Sequence, residues 1–121
     1  MESKKENILR TLTFSFAVEV IKLFKVLTDG RKEFVLSKQL LRSGTSIGAN
    51  VREANNAESK ADFIHKLAIA QKECDETMYW LELLKASSYL QDDEFNLLYT
   101  KAEAIIKIIK RSILTAKNGK S

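Results

Sequence analysis

No proline interrupts this chain anywhere in its 121 residues, and it holds only four glycines. Proline breaks a helix interior, and glycine is the next worst residue there. A chain without the first and poor in the second can run as long helices. Strand signals do not compete, because β-branched and aromatic residues nowhere alternate with polar ones for long. Apolar residues recur instead at steps of three and four. At 45% hydrophobic and 30% charged, the chain is too apolar for disorder. The pattern predicts an all-α fold, an antiparallel up-down-up-down four-helix bundle forming one domain over 1–121. Its helices fall near 6–28, 33–56, 59–86 and 92–117.

In the first helix, Ser15, Glu19 and Lys22 make one narrow polar stripe and nearly everything else from Phe14 to Leu27 is apolar. Such a helix is expected to be buried on more than one side. Asp29-Gly30 is its stop signal, with glycine just past the end.

The second helix contains "SGTSIGANVREANNAES", residues 43–59, which at first sight resembles a loop. Leu40, Gly44, Ile47, Gly48, Val51, Ala54 and Asn55 nevertheless fall within about a third of a helical circumference at 100° per residue. The stretch therefore reads as a helix whose small residues admit a neighbouring helix. A phosphate loop is the rival reading of "GTSIG". It would need Gly-Lys-Ser/Thr after a strand, and Gly48 is followed by Ala49 and Asn50. Gly44, Ile47, Gly48, Asn50, Val51 and Glu53 are the candidate packing and register residues, with Asn50 as a polar pin between the second and third helices.

Ser59 and Asp62 form a capping pair at the start of the third helix. Phe63, Leu67, Ala70, Cys74, Thr77, Met78 and Leu81 make its main stripe. Ile69, Trp80 and Leu83, with Tyr79 beside them, make a second strip roughly 120° around the cylinder. One strip serves the monomer core, and the other calls for a partner. Ile69, Glu73, Glu76, Tyr79, Trp80 and Leu83 are thus the candidate oligomer interface, with Arg42 or Arg52 as alternative partners for the two carboxylates. In the fourth helix, Asp92 or Asp93 is the expected N-cap, and Phe95, Leu98, Ala102, Ile105, Ile106, Ile109 and Ile113 face inward.

Several chemistries lack the residues they need. The single cysteine, Cys74, allows no internal disulfide and fits a reducing, cytoplasmic setting. It sits on the core stripe, and His65, the only histidine, is more than two turns away. Asp62-x-x-His65 is one half-motif, where a di-iron bundle wants two Glu-x-x-His motifs and further carboxylates. The most apolar run, "FSFAVEVIKLFKVL", carries Glu19, Lys22 and Lys25 and is too short and too charged to span a bilayer. The N-terminal stretch does not read as a secretion signal. The expectation is no enzyme, no catalytic residue, no metal, no cofactor, no small-molecule substrate and no membrane contact.

Net charge is +4. Residues 61–91 carry three basic and five acidic groups, whereas 101–121 hold six cations against Glu103 alone. Lys101, Lys107, Lys110, Arg111 and Lys117 are the candidate nucleic-acid contacts.

Residues 45–84 carry a resemblance. "SIGAN" with Glu53, and "KECDETMYWLELL" from Lys72 to Leu84, closely resemble the four-helix-bundle proteins linked to intervening sequences of 23S ribosomal RNA genes. The resemblance implies a bundle that assembles into ring-like homopentamers. It also relates the chain to accessory proteins of diversity-generating retroelements, whose basic surfaces meet nucleic acid and a reverse transcriptase. No catalytic residue is established for that family, so none carries over. The expected function is a non-enzymatic homo-oligomer that contacts RNA or a nucleoprotein. The alternative is a protein–protein adaptor with no nucleic-acid role.

Overall fold

The computed structural model describes the backbone of residues 4–119 and the side chains of residues 8–119. Four helices follow one another: α1 Lys4–Lys25, α2 Leu36–Asn55, α3 Lys60–Ala86 and α4 Asp92–Lys117. The last turn of α1 widens into a π-type turn over Val26–Gly30.

Cross-helix contacts fix the direction of each neighbour. Val20 lies against Gly44 and Thr13 against Gly48, so position rises along α1 as it falls along α2. Ser43 meets Thr77 and Glu53 meets Lys66, which runs α3 opposite to α2. Cys74 meets the Ala102 carbonyl and Glu82 meets Tyr99, which runs α4 opposite to α3. With α4 packed back on α1, the result is the expected up-down-up-down bundle.

Each helix contributes its periodic stripe to one core. Phe16, Val20 and Leu27 come from α1, Leu40, Ile47 and Val51 from α2, Leu67, Leu81 and Leu84 from α3, and Ile105 and Ile109 from α4. All of them are at most 1–2% exposed. Each such burial contributes roughly 1.5–3 kcal/mol.

Helix ends differ from the sequence expectation in instructive ways. Gly30 takes no left-handed conformation; Lys32 does, at φ 57°, three residues after the expected stop signal at Asp29. α2 starts at Leu36 rather than near Glu33. Glu33 instead lies buried before the helix, and its carboxylate accepts the amides of Val35, Leu36 and Ser37 at 3.2, 3.0 and 2.7 Å. Burial pushes the Glu33 carboxyl up, but the Leu36, Ser37 and Val35 amides and the Ser37 hydroxyl outweigh it, so it titrates below its ordinary 4.5. Ser59 caps α3 as expected, accepting the Asp62 amide at 3.0 Å. At α4 the cap is Gln91, one residue before the expected aspartates, with its amide held by Glu94 at 2.9 Å.

Glu94 does a second job. Two 2.8 Å bonds join it to Arg31, whose guanidinium also donates to the Tyr89 carbonyl. That fork ties the α1–α2 connection to the α3–α4 connection at one end of the bundle.

Candidate functional site

The α2 stretch that resembled a loop is a helix, and its glycines sit where α1 comes close. A Cβ on Gly44 would stand 2.9 Å from both Val20 methyl carbons, and one on Gly48 would stand 3.3 Å from the Thr13 hydroxyl oxygen. A larger residue at Gly44 would push the two helices apart. Ile47 and Val51 lie on the same side and are buried.

Asn50 does not act as the expected pin to α3. Its amide donates to the Ser46 carbonyl one turn back at 2.9 Å, because a short side chain at the stripe's margin reaches its own helix first. The polar links between α2 and α3 come from other residues. The buried Thr77 and Ser43 hydroxyls lie 2.9 Å apart, and Lys66 reaches Glu53 at 2.9 Å.

Arg42 of α2 reaches Glu73 and Glu76 of α3. Its guanidinium reaches the first at 3.2 Å and the second at 2.7 Å. These two candidate interface carboxylates are thus engaged within the monomer. Trp80 is half-buried and packed against the core, with its indole Nε1 buried without a hydrogen-bond partner. Ile69 and Leu83 are also half-buried. Only Tyr79, 53% exposed, stands clear of the strip, its ring 5.2 Å from that of Trp80. The helical-wheel reading left the whole strip for a partner. In the bundle the α2 flank and Arg42 lie along its near edge.

The larger uncovered apolar surface is on α1, which was expected to be buried on more than one side. Phe14, 63% exposed, stands in a row with exposed Val18 and Ile21. The physical reason is geometric. A bundle helix has two neighbours, here α2 and α4, and its outward third faces solvent in the monomer. Between α1 and α2 runs an open groove of about 420 Å³, lined by Arg10, Thr13, Phe14, Ala17, Thr45, Gly48, Ala49, Arg52 and Glu53. Sequence reasoning noticed its small residues as packing devices and missed the hollow they leave on the outer side.

Of the α4 cations, Lys107, Lys110, Arg111 and Lys117 are exposed and Lys101 is half-buried. Cys74 lies in the core with its sulfur 3.4 Å from the Ala102 carbonyl oxygen. Burial, with Asp75 nearby, pushes its thiol up to about 12, far from a nucleophile's range. Among the described residues no group of three His, Cys, Asp or Glu side chains gathers as a metal site. No helix among them is long and apolar enough to cross a membrane.

These features fit what comparison with known proteins gives. The family described as 23S rRNA-intervening sequence protein matches residues 5–111. The chain belongs to that family. A solved structure, that of a protein of unknown function from the S23 ribosomal protein family of Bacteroides thetaiotaomicron VPI-5482, is 48% identical with a TM-score of 0.91. The match covers 92% of this chain and 99% of the other. None of the curated proteins matches this sequence.

Proposed function

We propose that the protein is a non-enzymatic homo-oligomeric scaffold, a homopentamer, that contacts RNA or a nucleoprotein in the cytoplasm. The carrying observation is the exposed row Lys107, Lys110, Arg111 and Lys117 on the outer side of α4. Repeating it around an assembly multiplies weak phosphate contacts, and each contact releases counterions. Support for assembly comes from the uncovered apolar surface of α1 and from Tyr79 on α3. The family's description, 23S rRNA-intervening sequence protein, makes structured RNA the first ligand to try. Cytoplasmic placement rests on the single buried cysteine.

Light scattering on the purified protein gives the subunit number. Filter retention of structured and single-stranded RNA at increasing salt tests the ligand. Retention should fall steeply with salt, and the variant Lys107→Glu/Lys110→Glu/Arg111→Glu should lose it while keeping its mass. An intact assembly that retains no RNA at low salt would leave the adaptor reading in its place.

A further inference from the structure

The α1–α2 groove has an apolar floor and a cationic rim. The Thr13 and Thr45 hydroxyls in it each donate to a carbonyl of their own helix, Leu9 and Leu41, at 2.8 Å. Their protons are therefore spent. The Glu53 carboxylate is held by Lys66 at 2.9 Å. What the groove presents outward is the Phe14 ring, the methyls of Ala17 and Ala49, and the guanidinium of Arg52.

Carboxylates lie on a face of α3, where Asp75 and Glu82 are exposed. Tyr99 donates to Glu82 at 2.8 Å. That bond, with burial and the nearby charges of Glu82, Glu103 and Asp75, pushes its phenol up to about 12. Tyr79 stands exposed on the same helix, four residues from Asp75 and three from Glu82, so the aromatic and the two carboxylates share a face.

The chain thus carries an apolar groove with Arg52 at its rim and, on a different helix, an exposed aromatic flanked by two carboxylates. We infer that the α1–α2 groove of one copy receives the α3 face around Tyr79 of a second copy, with Arg52 meeting the Asp75 and Glu82 carboxylates. This inference rests on the assembly reading above and deepens it. The contact is head to tail, so each copy uses both surfaces, and the chain of contacts closes into a ring if the rotation allows. The occupant is another copy because the acidic aromatic face that the basic groove requires is present on this same chain.

Two variants separate the surfaces. Ala49→Trp fills the groove, and Tyr79→Ala removes the side chain that enters it. Both positions are exposed, so circular dichroism and the unfolding midpoint should stay at the wild-type values. Each variant alone should weaken assembly roughly 30-fold or more, as loss of an interface anchor does, and run as a monomer by light scattering. Mixed one to one, they should form a dimer, because one copy still offers Tyr79 and the other an open groove. Either variant assembling like wild type, or a mixture that stays monomeric, would overturn the inference while leaving the assembly reading intact. A monomeric wild type removes both. Should Ala49→Trp disturb the fold, Arg52→Glu and Asp75→Arg replace the pair. Each alone should dissociate, and the two combined in one chain should reassemble; continued dissociation overturns the inference.

Discussion

α1 and α3 both carry more apolar surface than one stripe can use, and the bundle treats them differently. On α3 the surplus lies on the flank facing α2. There Trp80 packs onto the core and Arg42 spans Glu73 and Glu76 beside it. On α1 the surplus lies at the outer edge of the α1–α2 groove and beyond it, and Phe14, Val18 and Ile21 remain open. An apolar excess on a helix therefore does not by itself locate an interface. What decides is whether a neighbouring helix has side chains long enough to reach over it.

The sharpest way to break this comparison is inside α1 itself. Phe16 is fully buried and Phe14, two residues before it, is mostly exposed. Phe16→Ala should lose about 3–5 kcal/mol in urea unfolding. Phe14→Ala should change monomer stability by no more than about 0.5 kcal/mol. Equal losses would mean that the outer row is covered in the monomer after all.

Next in size is Gly44→Ala, expected to cost about 1–3 kcal/mol through the clash with Val20, less the gain in helix propensity. Combining it with Val20→Ala should recover part of that loss. A strictly additive double variant would show that the close approach is not the cause.

Glu33→Ala should cost about 1–2 kcal/mol, since three amides at the start of α2 lose their acceptor. The pH dependence has a definite sign. The folded Glu33 carboxyl sits below its ordinary 4.5, so its contribution is present above that value and fades as pH falls below it. Wild type and variant should therefore converge in acid, and a gap unchanged between pH 7 and pH 3 would exclude the capping role.

The smallest effect belongs to the ion pairs on α3. The Arg42 side chain is half exposed, so water and salt screen it, and Arg42→Ala should cost less than about 1 kcal/mol. Its informative readout is fluorescence, because the Trp80 indole should become more open to quencher. Unchanged quenching would show that Arg42 does not shelter the strip.

Much of the fold was legible because helical period is a local property. The core stripes, the reading of residues 43–56 as a helix and the Ser59 cap all follow from spacing along the chain. The site was less legible. Asn50 looked like a cross-helix pin because its angle is right, but its amide finds the Ser46 carbonyl. Thr77 reads as a member of the apolar stripe of α3, and its hydroxyl, with that of Ser43, supplies a polar link between α2 and α3. Glu33 looked like the first residue of a helix and is instead the acceptor that starts it.

The sequence by itself determined four helices, their order, and which residues of each face a common core, because proline is absent and apolar residues keep a 3.6-residue period. Only the tertiary structure decided which leftover apolar surface is covered, how α2 starts, and that a groove with a basic rim opens between α1 and α2. Those outcomes depend on which helices stand side by side and how near they come. Gly44 against Val20 is a distance between two helices, and no spacing within one helix can express it.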